Sequence, residues 1–233
     1  MTRIRIENVV ASTSLASALD LEAIGLKLPG AEYDPHAFPG LIYRLEEPKT
    51  AMLLFGSGKA VCTGGKSWNQ ANAAVQKVAE VIRRRGHTIV PRPKIRIQNI
   101  VATSNLEAEL NLNSVAVTLG LDRIEYEPEQ FPGLVCRLKE PRVVILLFGS
   151  GKLVCTGARR PAEIELAFRA ITSELQAADL IPRERPRSKF TVKRAAPRVA
   201  PHPEDDGSLS LGAGPGLPHV PSTIREAPPV ASE

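Results

Sequence analysis

The chain has 233 residues, a formal charge of +5 and a sequence pI of about 9.3, a balance that permits a polyanionic partner without demanding one. Its composition, 43% hydrophobic and 24% charged, is that of an ordinary globular protein with length for one or two domains. No apolar run of about twenty residues exists to cross a membrane, the start Met1-Thr2-Arg3-Ile4-Arg5-Ile6-Glu7 has no secretory core, and Cys62, Cys136 and Cys155 lack metal-ligand spacing, so reduced thiols in an intracellular protein are expected.

In chain order, residues 3–12 alternate as a strand. Leu15, Leu19 and Ile24 suggest short helical turns capped near Ser14 and Asp20. A short strand around Glu32-Tyr33 is ended by Pro35, and residues 41–45 form the next strand, closed by Glu47-Pro48. Thr50 to Gly64 then reads as a hairpin turning at Gly56-Ser57-Gly58. Both faces of its first strand are apolar: Met52 and Leu54 point one way, Ala51, Leu53 and Phe55 the other. Ser67 is the expected N-cap of a long helix with an apolar stripe of Ala71, Ala74, Val75, Val78, Val81 and Ile82.

The pattern then repeats. Ile6-Glu7-Asn8-Val9-Val10-Ala11 returns as Ile97-Gln98-Asn99-Ile100-Val101-Ala102, and Phe38-Pro39-Gly40-Leu41 as Phe131-Pro132-Gly133-Leu134. Phe55-Gly56-Ser57-Gly58-Lys59 returns as Phe148-Gly149-Ser150-Gly151-Lys152, and the second long helix starts at Pro161 with Ile164, Ala167, Phe168, Ile171 and Leu175 inward. A two-residue insertion in the second copy falls near residues 120–124. Residues 1–92 and 93–181 are therefore expected to form two halves of one pseudosymmetric domain. The last 52 residues, 182–233, hold half of the 20 prolines and read as a disordered tail, basic in its first part.

One long helix covers only one face of each half-sheet. The uncovered face carries Leu53, Phe55, Lys59, Val61 and Thr63, matched by Leu146, Phe148, Lys152, Val154 and Thr156, with Asn8 and Val10 matched by Asn99 and Val101. Phe38 and Phe131 stand at turns at its ends. No carboxylate pair, histidine or cysteine converges there, so acid–base and nucleophilic chemistry have no candidates. An apolar middle with polar Asn and Thr and a basic margin suits the DNA minor groove, where base acceptors and sugar edges lie between phosphate rims. Gly64-Gly65-Lys66-Ser67 resembles the end of a phosphate loop, but Ala60 stands where that motif needs glycine. The four histidines form no cluster.

The repeated Asn-(Val/Ile)-Val-Ala, Tyr-x-Pro, Phe-Pro-Gly, Glu-Pro-(Lys/Arg), Phe-Gly-Ser-Gly-Lys and Val-Cys-Thr-Gly strings resemble the TATA-box-binding protein family from residue 3 to about 181, and Phe-Pro-Gly in both copies resembles its archaeal branch. The resemblance implies an α+β fold: a pseudo-two-fold saddle with a curved ten-stranded antiparallel sheet and four helices on its convex face. It implies a non-enzymatic general transcription initiation factor with no cofactor or small-molecule substrate. Such a factor binds double-stranded TATA-box DNA and recruits transcription factor B and RNA polymerase, on the nucleoid of an archaeal cytoplasm or in a nucleus if eukaryotic.

By position, Phe38, Phe55, Phe131 and Phe148 would be the kinking wedges, a mode for which this family is a standard example. Asn8, Asn99, Thr63 and Thr156 would meet base edges, while Val10, Val61, Val101, Val154, Leu53 and Leu146 would pack on the groove floor. Arg44, Lys49, Lys59, Lys66, Arg137, Arg142, Lys152 and Arg159 would meet phosphates. Glu127 and Glu129 would meet transcription factor B. Ala37 precedes the first wedge where many relatives have a charged residue. The alternatives are a nonspecific architectural minor-groove protein, a curved-sheet ligand-binding or interaction domain, and a homodimer that covers the apolar face.

Overall fold

The computed structural model describes residues 4–120 and 122–182, all within the unit Met1–Pro186; the expected tail lies outside the described residues apart from Pro182. The first repeat runs β1 (Arg5–Ser14), α1 (Leu21–Lys27), β2 (Ala31–Glu32), β3 (Gly40–Leu45), β4 (Thr50–Phe55), β5 (Lys59–Gly65) and α2 (Trp68–Arg84). The second runs β6 (Arg96–Asn105), α3 (Leu112–Leu119), β7 (Ile124–Glu125), β8 (Gly133–Leu138), β9 (Val143–Phe148), β10 (Lys152–Ala158) and α4 (Pro161–Ala177). Five strands from each repeat make one curved ten-stranded antiparallel sheet in the order β2-β3-β4-β5-β1-β6-β10-β9-β8-β7.

The two repeats join through β1 and β6, where Val9 faces Ile100, Asn8 faces Val101 and Val10 faces Asn99. These partners exchange roles under the repeat relation, so the pseudo-two-fold axis passes between Val9 and Ile100. Register breaks flank the axis, between Ile6 and Asn8 and between Val10 and Ala11. Bulges of this kind bend a sheet and increase its twist.

One face of the sheet is sealed by the long helices. Along β4, Thr50, Met52 and Leu54 are buried while Ala51, Leu53 and Phe55 are half-exposed, and β9 alternates in the same way. The buried set packs with Ala71, Ala74, Val75, Val78 and Ile82 of α2, and with Ile164, Ala167, Phe168, Ile171 and Leu175 of α4. Cys62, Cys136 and Cys155 are free thiols inside this core. Burial raises all three pKa values, to about 11 for Cys62 and Cys155.

Ser67 caps α2 by accepting from Gln70 N at 3.1 Å. Pro161 begins α4, and the Glu163 carboxylate accepts from Arg159 N at 2.8 Å. The second glycine of each Phe-Gly-Ser-Gly-Lys turn is obligatory. Gly58 has φ +79°, and a methyl group there would lie 1.9 Å from the Ala16 carbonyl oxygen; Gly151 has φ +78° and would meet Ala108 O at 2.1 Å.

Some local expectations fail. β1 leaves out Ile4 and extends to Ser14 rather than ending at Ser12, while the expected start at Arg3 lies outside the described residues; β2 ends at Glu32 rather than including Tyr33. Leu15 and Leu19 are buried but not helical. Their backbone N–H groups bond Gly58 O and Gly56 O at 2.8 and 2.9 Å, so this segment is laced to the hairpin turn instead of coiling on itself. Ser14 caps nothing; Asp20 alone caps α1, accepting from Ala23 N at 3.0 Å.

Candidate nucleic-acid interface

The opposite face of the sheet has no helix over it. Asn8 and Val10 on β1, Val61 and Thr63 on β5, and Leu53 and Phe55 on β4 are all half-exposed on this face, as are their six repeat-related partners. The sheet brings together every residue expected at base edges or on a groove floor.

The asparagines are held in a defined orientation. Asn8 Oδ1 accepts from Gly64 N at 2.8 Å, and Asn8 Nδ2 donates to Thr63 Oγ1 at 3.2 Å. In the second repeat Asn99 Oδ1 accepts from Gly157 N at 2.7 Å, and Asn99 Nδ2 donates to Thr156 Oγ1 at 3.1 Å. A backbone N–H can only donate, so it fixes which end of each amide is oxygen. Each NH₂ then keeps a second hydrogen for an outside acceptor. Gly64 and Gly157 reach these positions with φ +93° and +97°.

At the ends of the face the phenylalanines meet in pairs. Phe38 and Phe55 pack edge to face with centroids 5.9 Å apart, and Phe131 and Phe148 do the same at 5.8 Å. All four rings are partly exposed, Phe131 at 36%. The two edge-to-face pairs fix ring orientation without burying the rings.

The candidate phosphate residues divide by electrostatics. Arg137 is tied to Glu125, with Nε to Oε1 at 3.0 Å and Nη2 to Oε2 at 3.2 Å. These hydrogen bonds hold the Glu125 carboxyl below the usual range and push the Arg137 guanidinium up. Arg44 lies 3.5 Å from Glu32, and Lys66 lies 3.8 Å from Glu7. Lys49, Lys59, Arg142, Lys152 and Arg159 are exposed and have no ion pair among the described residues. Glu127 and Glu129 are exposed in the loop joining β7 to β8.

Four polar side chains near the axis escaped the sequence reading. Thr103 Oγ1 donates to Glu7 Oε1 at 2.8 Å, and the repeat-related Gln98 Nε2 donates to Ser12 Oγ at 2.6 Å. Ser12 and Thr103 continue the alternation begun by Val10 and Val101, a signal present in the sequence. Glu7 and Gln98 reach these partners across the register breaks, which no alternation predicts.

The family model for transcription factor TFIID, or TATA-binding protein, matches residues 3–85 and 94–178. The TATA-box-binding protein of Thermoplasma acidophilum is 55% identical over 179 residues, 77% of this chain and 97% of the relative. That of Archaeoglobus fulgidus is 49% identical over 179 residues, 77% of this chain and 98% of the relative. The solved Methanococcus jannaschii TBP structure is 44% identical and superposes with a TM-score of 0.70, covering 75% of this chain and 99% of that one. The family is one of transcription factors rather than enzymes, and no helix among the described residues is long and apolar enough to cross a membrane. The chain belongs to the TATA-box-binding protein family.

Proposed function

We propose that the chain is a general transcription initiation factor that binds the TATA element of a promoter through the minor groove and bends it. The observation that carries this reading is the twofold-related Asn–Thr–Gly array on the uncovered face, Asn8-Thr63-Gly64 and Asn99-Thr156-Gly157. Each array points one spare amide hydrogen outward, and the minor groove of an A·T pair offers only acceptors, adenine N3 and thymine O2. Val10, Val61, Val101, Val154, Leu53 and Leu146 surround the arrays with methyl groups that would collide with the guanine 2-amino group. At each end a phenylalanine pair enters between base steps, and the partly unstacked duplex follows the curvature of the sheet. Lys49, Lys59, Arg142, Lys152 and Arg159 meet phosphates along the rims, joined by Arg44, Lys66 and Arg137 once their carboxylate partners release them.

With DNA on the concave face, the exposed acids Glu127 and Glu129 remain open for transcription factor B, and through it for RNA polymerase. The setting is an archaeal cytoplasm, on the nucleoid. This assignment is supported by the archaeal origin of the relatives named above.

The test is an anisotropy titration with an A·T-rich duplex, its inosine·cytosine replacement and a guanine·cytosine duplex. Inosine·cytosine alters the major groove but adds no 2-amino group to the minor groove. Equal affinity for the first two with loss on the third is expected. Indifference to all three would replace the proposal with a nonspecific architectural protein, and no binding would return the face to a dimer or ligand role.

A further inference from the structure

A groove of about 850 Å³ opens where the β4–β5 hairpin meets the segment joining the repeats. Phe55 and Val61 of the concave face line it, together with Lys59, Arg92, Lys94 and Arg96. None of its lining residues is acidic. The four cations are exposed, and among the described residues none has an ion pair.

The backbone carrying these charges is anchored on β1. Val90 N bonds Leu15 O at 2.7 Å, Lys94 O accepts from Thr13 Oγ1 at 2.8 Å, and Arg96 pairs with Ser12 in the sheet. Four like charges fixed around one opening repel one another unless a polyanion lies there.

Among the described residues the second repeat shows no matching set of unpaired cations. Arg5, related to Arg96, stands 3.8 Å from Glu7, while the neutral Gln98 takes the place of that acid beside Arg96. The stretch after β6 carries Glu107 and Glu109 where the stretch after β1 has Ala16 and Ala18.

We propose that this groove holds backbone phosphates of the duplex leaving the step wedged by Phe55, so that the N-terminal repeat grips flanking DNA and the C-terminal repeat does not. The inference rests on the minor-groove reading above. Duplex DNA is the occupant because the groove is continuous with the face proposed to bind it, through Phe55 and Val61. A protein with one such grip has a direction on a symmetric A·T element: the N-terminal repeat takes whichever side carries flanking duplex.

The experiment uses the full chain and a self-complementary alternating A·T core, bare or extended by a G·C-rich arm on one side or on both. One arm is expected to raise affinity about fivefold at moderate salt, through two or so added phosphate contacts. The second arm should add only a statistical factor of about two, since the protein has one grip to fill and two equivalent ways to fill it. The double variant R92Q/K94Q should abolish the gain and flatten the salt dependence on the armed duplex by about 2 in log–log slope. It should leave affinity for the bare core unchanged. Both substituted side chains are exposed, and Thr13 is held by the Lys94 carbonyl rather than its amine, so the fold is not at issue. No gain from the first arm, a second arm multiplying affinity as much as the first, or equal losses on bare and armed duplexes would each overturn the proposal. Failure of the unaltered chain to bind the bare core is a separate result, which overturns the minor-groove reading and this inference with it.

Discussion

Gly40 lies directly beneath the ring of Phe38. A β-carbon on Gly40 would stand 2.7 Å from Phe38 Cε1, 3.1 Å from Phe55 Cε1 and 3.2 Å from Leu54 O, and Gly133 stands in the same relation to Phe131 and Phe148. The glycine of each Phe-Pro-Gly string thus serves as the floor on which a phenylalanine pair rests. Gly40→Ala should push the Phe38 ring aside without unfolding the sheet, because a ring edge yields more readily than backbone. Expected are a melting temperature lowered by a few degrees and a smaller DNA bend, read as end-to-end energy transfer in a labelled duplex. An unchanged bend would detach the Phe-Pro-Gly geometry from bending.

Phe148→Ala removes one ring of the second pair. The ring is half-exposed and its packing partner is itself at the surface, so the stability loss should be near the ~0.5–1.5 kcal/mol of an aromatic pair rather than the ~3–5 kcal/mol of a core deletion. Bending should fall markedly. A core-sized loss in denaturant titration would place Phe148 in the core and end its assignment as a wedge.

Asn8→Asp separates the structural role of the amide from its recognition role. The carboxylate keeps an oxygen for Gly64 N and accepts the Thr63 hydroxyl, so melting should scarcely change. It has no hydrogen to offer an adenine or thymine acceptor and brings a negative charge into an acceptor-lined groove. Affinity for A·T-rich DNA should drop at least about tenfold, or ~1.4 kcal/mol. Retained affinity would show that the spare amide hydrogen is not used.

Burial of Cys62 and Cys155 gives a pH prediction. Their folded pKa values are raised to about 11, so the associated stability is fully present below the ordinary thiol value of 9.0 and is lost as pH climbs through 9 toward 11. Thermal melts of the unaltered chain should decline over this window more steeply than those of the double variant C62A/C155A. A thiol reagent at pH 8 should label the native protein slowly and the denatured protein at once. Parallel melting profiles would mean that the thiols are not linked to folding.

What was legible in the sequence follows from period. β4 and β5 show both faces because residues two apart share a side, and two apolar sides meant two coverings, one supplied by α2. Repetition of whole strings fixed the pseudosymmetry, and with it the pairing of Asn8 with Asn99 and of Phe55 with Phe148. The segment holding Leu15 and Leu19 misled because burial alone resembles a helical stripe; its N–H groups go to Gly56 and Gly58, partners far away in sequence. Glu7 and Gln98 were missed because bulges break the alternation. The peptide bonds Glu47-Pro48 and Glu140-Pro141 are cis, which the Glu-Pro dipeptides did not disclose.

Lys152 and Arg137 separate a free cation from an engaged one. Lys152 is exposed without an ion pair among the described residues, whereas Arg137 is held by Glu125 through two hydrogen bonds. Lys152→Ala should weaken binding to every sequence alike and lower the salt slope by about 1, as one phosphate contact requires. Arg137→Ala should do less at low salt, because reaching a phosphate first means leaving the carboxylate. Glu125→Gln removes that competitor, so it should raise affinity about two- to threefold and steepen the salt slope toward one more contact. Titrations at several salt concentrations with an A·T-rich duplex and a duplex of unrelated sequence decide all three. A Lys152→Ala loss confined to A·T-rich sites, or a Glu125→Gln variant that binds more weakly, would remove these residues from the phosphate rim.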